Sequence, residues 1–180
     1  VVNYASPVRV AGISSAIREA SSESAPMRMQ AVSSVSMNYS AGDRILFRGN
    51  SGTMATLVSD VLTADKTIEF NFVPCTDANG NHYATITIGD QVWMAENLKT
   101  TKYADGTDII LRASKAEYLA DANRRTTPIC RYFNDDPATK DIAGLAYKYQ
   151  TIKYKNLCPE GWHVPSHYEW RKLRDAIGPD

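Results

Sequence analysis

DANGNHYATITIGDQVWMAENL, residues 77–98, decides how the second half of the chain is read. Asn79-Gly80 is the strongest short hairpin signal, because a tight hairpin turn needs residues that accept positive φ. A second tight turn at Gly89-Asp90 separates Ile86-x-Ile88 from Val92-x-Met94, and both flanks alternate apolar with polar residues. This stretch therefore predicts a small antiparallel meander.

Working toward the C-terminus, Asp105-Gly106 marks a further turn, and SKAEYLADAN (114–123) begins a helix. Ser114 followed by Glu117 forms a capping box, and Ala116, Leu119 and Ala120 give the helix a modest apolar face. TPICRYFNDD (127–136) reads as a strand running into an acidic turn, and Gly144 to Tyr149 fits either a strand or a short helix. The closing stretch GWHVPSHYEWRKLRDAIG (161–178) has sharper signals. Pro165 breaks a strand-like run, Ser166 and Glu169 form a second capping box, and Gly178-Pro179 stops the helix. Trp170, Leu173 and Ile177 recur on one face, so the helix is amphipathic and has to pack on something. Residues 75–165 are expected not to cover that stripe alone.

Toward the N-terminus the character changes near residue 74: residues 12–40 are rich in Ser and Ala, while all three Trp residues come later. SPVRVAGISSA (6–16) and APMRMQAVSSV (25–35) align at one constant offset and read as short strands. Two copies do not define a solenoid, so they are a strand pair or a coincidence of Ser-rich sequence. AGDRILFRGN (41–50) predicts a turn, a strand over Ile45–Phe47 and another turn through Gly49 to Gly52. TMATLVSDVL (53–62) fits helix by spacing and strand by its Val and Thr content. KTIEFNFVPC (66–75) alternates as a half-buried strand. The expected organisation is α+β, with a β-rich region over 1–74 and an α+β domain of short strands and two short helices over 75–180.

Composition excludes several classes. Lys+Arg and Asp+Glu both number 20, so no global basic field draws nucleic acid or an acidic membrane surface. No apolar run is long enough to span a bilayer. No signal peptide opens the chain, which leaves a mature secreted form, a trimmed chain or a cytoplasmic protein as expectations. Cys75, Cys130 and Cys158 leave one thiol over in any disulfide scheme.

Two resemblances attach to these residues. Tyr39, Gly42-Asp43, Ile45 and Phe47, then Thr63-Ala-Asp-Lys66, Ile68 and Phe70, make residues 1–74 similar to fimbrillin-like pilus proteins of Bacteroidota. That implies a sandwich-like β region, abbreviated in length. The second half is closer to its match. Asp77-x-Asn-Gly-Asn81, Tyr83, Ile88-Gly-x-Gln-Val-Trp-Met-Ala-Glu-Asn-Leu98, Tyr103-x-x-Gly106, Cys130, Gly144-Leu-x-Tyr147 and Leu157-Cys-Pro-x-Gly-Trp-His-Val-Pro-Ser166 with Glu169-Trp170 resemble the Fibrobacter succinogenes major paralogous domain. The Val-Pro-Ser-x-x-Glu-Trp corner is also similar to that of the sulfatase-modifying proteins, which implies a C-type-lectin-like α+β fold. The family pattern continues past what this sequence holds, so the resemblance implies a domain incomplete at its C-terminus. It also implies a Cys75–Cys130 disulfide, with Cys158 left without its usual partner; three buried reduced thiols are the alternative.

Candidate chemistry is thin. Asp77, Asn79 and Asn81 alternate oxygens as in part of a calcium loop, but Ile88 stands where a bidentate Glu belongs, which favours a plain hairpin turn. Asn134-Asp135-Asp136 could assist a cation or sugar and reads more simply as a solvated turn. Trp93 and Trp162 could stack on a sugar ring, yet both stand in apolar strand contexts that favour the core. His82, His163 and His167 complete no nucleophile–base arrangement. No catalytic residue, metal site or cofactor is expected, and the ligand is left unnamed. The expectation is a secreted structural or adhesive protein of the bacterial cell surface or outer membrane: a pilus subunit or anchored adhesin, made as a lipoprotein precursor, whose partners are other surface-protein subunits. The alternative is a carbohydrate-binding module that captures polysaccharide or host glycan.

Overall fold

Alternation along residues 44–61 produces the longest pair of strands among the described residues. The computed structural model describes residues 2–3, 8–11, 40, 42–64 and 66–178. In it β3 (Arg44–Ser51) and β4 (Met54–Val61) form an antiparallel hairpin, with β1 (Val2–Asn3) and β2 (Val8–Ala11) preceding it. The ambiguous stretch 53–62 is thus strand. Its Val and Thr residues gain a partner on each side, because β4 also pairs in parallel with β6 (Ala84–Ile88). Two buried threonines stitch that parallel pair: Thr56 donates to the Thr85 carbonyl at 3.1 Å, and Thr85 donates to the Ala55 carbonyl at 3.4 Å. The sheet order is β1-β7-β6-β4-β3, where β7 (Gln91–Met94) is the antiparallel partner of β6 across the Gly89-Asp90 turn. A single sheet therefore runs across the change of character at residue 74.

The turn expected through Gly49 to Gly52 starts later than the sequence suggests. β3 runs on to Ser51, because Gly49 lies directly beneath the Phe70 ring, where a Cβ would come within 2.6 Å of ring carbons. Phe70 belongs to β5 (Glu69–Phe72), which pairs antiparallel with β2. Ile68, Phe70 and Phe72 form a buried cluster with Phe47, Met54 and Val58 packed against it, so this ribbon covers the inner side of β3 and β4. The first of the two aligned Ser-rich copies contributes β2; the second, 25–35, lies outside the described residues.

The remainder builds two further apolar clusters. Val73, Cys75, Tyr83, Val92, Cys158 and Trp162 enclose one, and Tyr103, Ile109, Cys130, Leu145 and Leu157 enclose the other; Leu98 packs against both. The second cluster is backed by the sheet β10-β9-β8, formed by β8 (Ile110–Arg112), β9 (Ile129–Tyr132) and β10 (Leu145–Tyr147). Helix α1 (Lys115–Ala120) starts at the expected Ser114 cap, although Glu117 reaches back to the Ala113 N–H rather than to that of Ser114, and Leu119 stays exposed. Helix α2 (Lys140–Ala143) and helix α3 (Tyr149–Tyr154) were not foreseen as helices in their own right. The 144–149 ambiguity resolves as strand, β10, with α3 beginning only at Tyr149. Helix α4 (His167–Ile177) carries the complete Ser166–Glu169 capping box. The architecture is mixed α+β.

Gly144 joins α2 to β10 with φ 68° and ψ −149°, a region open to glycine. A Cβ there would meet the Leu98 carbonyl oxygen at 2.5 Å and the Asn97 Cβ at 2.8 Å. Gly144→Ala is expected to cost about 3 kcal/mol by urea unfolding. Gly106→Ala, also at positive φ but with open space around it, should cost about 1 kcal/mol.

Candidate functional site

The Asp-x-Asn-Gly-Asn loop folds onto itself. Gly80 donates to the Asp77 carbonyl at 2.9 Å with φ 81°, closing the turn, and Thr76 and His82 form an isolated bridge at its base. One Asp77 carboxylate oxygen accepts the N–H groups of Asn79 and Asn81, at 2.8 and 3.0 Å. The other accepts the Asn81 amide at 2.8 Å and the Tyr83 hydroxyl. The Tyr83 oxygen in turn accepts the Lys99 N–H at 3.0 Å. Asn79 reaches the same neighbouring segment: its Oδ1 accepts the Thr101 N–H at 2.7 Å and the Thr100 hydroxyl at 2.9 Å. Tyr147 of β10 then donates to the Thr100 carbonyl at 2.7 Å. Burial first, and the Asp77 hydrogen bond second, push the Tyr83 phenol far above its ordinary range, so it remains a donor. The Asp77 and Asn79 oxygens that suggested a calcium loop are thus committed to internal bonds, and the loop ties segment 99–102 to both apolar clusters.

The acidic turn is similarly occupied. Asn134 and Asp135 both adopt left-handed φ, 53° and 60°. Asp135 accepts the Lys115 N–H at the start of α1 at 2.8 Å and pairs with Arg131 at 3.0 Å, while Asp136 caps the following turn through the Ala138 N–H at 2.9 Å.

Cys75 and Cys130, expected as a bridge, are free thiols in separate clusters: Cys75 lies with Cys158 in one, Cys130 in the other. Each is walled in by apolar side chains. Burial raises the Cys130 thiol to about 12 and Cys158 to about 11, and pushes Cys75 higher still.

Of the tryptophans singled out, Trp162 is buried and donates its indole N–H to the Pro74 carbonyl at 2.9 Å, which makes it a core residue. Trp93 is also buried, but its ring lies 5.0 Å from that of Trp170, tilted by 45°. His82 bonds Thr76 at 2.9 Å, and His167 is exposed at the start of α4. His163 Nε2 lies 2.7 Å from a Glu169 oxygen whose carboxyl mate accepts the Ser166 N–H at 2.6 Å, so the histidine is braced by the helix cap.

That cap aims α4 across the β6–β7 turn. Lys172 pairs with Asp90 at 2.5 Å, and the Ala176 methyl lies 3.2 Å from where a Cβ on Gly89 would sit. The stripe expected to lie open is largely so: Trp170 is 54% exposed and Ile177 65%, while Leu173 is half-buried. Tyr168 and Val164 extend the exposed apolar surface. On β7 the sequence reading missed Gln91, which is in phase with Trp93. Its side chain is buried with neither amide atom hydrogen-bonded, and the Trp93 indole N–H is also unpartnered. The period-2 alternation of QVWM was the available signal. Among the described residues no group of three potential metal ligands occurs.

These features define a small mixed α+β protein whose polar loops are spent on structure and whose last helix presents aromatic surface. Residues 86–180, more than half of the chain, match the model of the Fibrobacter succinogenes major domain, and the chain belongs to that family. Comparisons with curated proteins and with solved structures returned no match.

Asp77→Ala strands the Tyr83 hydroxyl and two backbone N–H groups, and is expected to cost about 3 kcal/mol or more in urea unfolding. A double-mutant cycle with Tyr83→Phe should show coupling of about 1 kcal/mol or more. The thiols predict a pH dependence of one sign. Unfolded thiols ionise near 9.0, whereas folded Cys130 and Cys158 hold their protons to about 12 and 11. The folded state binds more protons in that window, so stability is full below pH 9.0 and falls above it. Unfolding curves from about pH 8 to about pH 10.5 should show the decline, and native thiols should resist alkylation until denaturant is added.

Proposed function

We propose that this protein is a secreted structural or adhesive subunit of the bacterial cell surface, of the pilus-subunit or anchored-adhesin kind. The observation that carries the reading is the α4 face: a helix firmly capped at one end and pinned to the β6–β7 turn, yet displaying Trp170, Tyr168 and Ile177 to solvent. Aromatic and aliphatic groups grouped on one rigid element are what an association surface offers. The commitment of Asp77, Asn79, Asp135 and Glu169 to internal hydrogen bonds supports a binding role over a catalytic one.

At the finer level of fold, the β2–β5 ribbon over β3 and β4 supports a sandwich-like N-terminal region of the fimbrillin kind. The short strands, capped helices and Ser166–Glu169 corner support a C-type-lectin-like arrangement for the rest. The partners on this reading are other surface-protein subunits, and the site of action is outside the cell.

Two measurements test this. A membrane-impermeant amine reagent applied to intact producing cells is expected to label the protein; labelling only after lysis would end the surface assignment. Sedimentation velocity should show concentration-dependent assembly, weakened at least about tenfold by Ile177→Asp, since a carboxylate replaces an apolar contact of roughly 1.5 kcal/mol or more. A monomer at all concentrations, or assembly indifferent to the substitution, would remove α4 as the contact.

A further inference from the structure

Two of the three thiols share one enclosure. Cys75 and Cys158 are 4% and 1% exposed, in the same apolar cluster as Val73, Tyr83, Val92 and Trp162. The two segments that carry them are tied together directly. Trp162 donates its indole N–H to the carbonyl of Pro74, the residue before Cys75, at 2.9 Å. A turn closed by the Trp162 N–H on the Pro159 carbonyl, at 3.0 Å, folds Trp162 back toward Cys158. Both cysteines are also fixed at the backbone. The Cys75 carbonyl accepts the Tyr83 N–H at 2.9 Å, and the Cys158 N–H donates to the Asn156 side chain at 3.1 Å. Burial is the main reason the Cys75 thiol holds its proton, and Cys158 adds to it, so the two sulfurs lie within each other's field.

The third thiol is placed differently. Cys130 is fully buried in the cluster of Tyr103, Ile109, Leu145 and Leu157. Leu157 and Cys158 are consecutive, yet Leu157 packs in the Cys130 cluster and Cys158 in the other. The backbone at that point sends neighbouring side chains to opposite sides. A bond from Cys158 to Cys130 would turn one of the two out of its cluster, whereas a bond to Cys75 keeps both in place.

We propose that Cys75 and Cys158 are joined by a disulfide when the chain folds in an oxidising compartment, and that Cys130 stays a free thiol. The step is a thiol–disulfide exchange with an external disulfide, carried by a small molecule or an oxidoreductase. The thiolate of one cysteine attacks that disulfide, a mixed disulfide forms and one external thiol leaves. The second cysteine then attacks its partner's sulfur, the Cys75–Cys158 bond forms and the second external thiol leaves. The two electrons and two protons given up by the cysteines end on the external pair. Enclosed thiols that hold their protons are poor attackers, so the exchange precedes closure of the cluster. Once closed, the same apolar walls shield the bond from reduction. The bond ties the end of the β5 segment to the corner that leads into α4, and it shortens the unfolded chain's reach between those points. Its use by the cell rests on the secreted reading above, because cytoplasmic thiols are kept reduced.

Oxidative refolding of the full chain tests the pairing. The reduced chain is unfolded in urea and refolded with or without a mixture of reduced and oxidised glutathione. Thiols are then counted in denaturant, and a non-reducing digest is read by mass spectrometry. All three cysteines are expected to be free without the oxidant. With it, one thiol should remain, on Cys130, and one peptide pair should join Cys75 to Cys158. Cys130→Ala should form the same bond in the same yield, and the bridged chain should unfold at higher urea than the reduced one. The proposal is overturned by a bond from either cysteine to Cys130, by glutathione adducts in place of an internal bond, by three free thiols after oxidative refolding, or by a bridged chain that unfolds at lower urea. A second sample separates this from the secreted reading: chain taken from intact producing cells with its thiols blocked before lysis. A Cys75–Cys158 bond in both samples supports both readings. A bond in the refolded chain and free thiols in the cellular one leaves the pairing standing and counts against secretion.

Discussion

The Asp77 carboxylate is the constraint on which the second half of the molecule depends. It accepts bonds from two backbone N–H groups, an amide and a phenol, and that phenol accepts the N–H of Lys99. Two apolar clusters meet at Leu98, one residue before that contact. Apolar burial is non-directional and would let those clusters slide against each other. A buried carboxylate is not permissive in this way: its charge is tolerable only while each of its donors stays in place. The loop thereby sets the register of segment 99–102, and through Thr100 and Tyr147 the position of β10.

What was legible in the sequence divides by the range of the interaction involved. The Ser166–Glu169 box, the Asn79-Gly80 turn and the Gly89-Asp90 turn are closed by hydrogen bonds within a few residues, so residue identity suffices to read them. Residues 53–62 were ambiguous because their strand character comes from β3 on one side and β6 on the other, and the latter register, Ala55 opposite Ala84, is written nowhere locally. Gly49 looked like a turn residue, yet it is a strand residue whose missing side chain makes room for Phe70. The same split applies to the candidate sites. That Asp77 belongs to a turn could be read; that Tyr83 and Thr101 complete its surroundings could not. The spacing of Trp170 and Ile177 announced an apolar stripe, whereas the buried, unpartnered Gln91 emerges only once β7 is seen between β6 and β1.

The three buried thiols belong to the packing of the apolar clusters. A bridge requires two sulfurs in one place; Cys75 lies in one described cluster and Cys130 in the other, with Leu98 packed against both. Enclosed in apolar surroundings, each behaves as a small hydrophobic group whose proton is hard to remove. As free thiols their contribution is to packing, and the cost of ionising them acts only in alkali.

Both outward-facing aromatic displays rest on the same device. In α3 the anchor is Thr151, bonded through its hydroxyl to the β9 backbone; in α4 it is Glu169, bonded to the cap of its own helix and to His163. Each anchor is buried and polar, so its geometry is directional and does not depend on what the opposite face carries. The outer positions Tyr149 and Lys153 on one helix and Ile177 on the other are therefore free of the task of holding the helix down, whereas Tyr154 leans on Tyr103 and Trp170 on Trp93. Side chains released in this way can be large and apolar without destabilising the fold, because their exposure costs nothing that the anchor has not already secured. A fold of this construction separates holding from display: internal polar loops do the first, and two short helices are left to do the second.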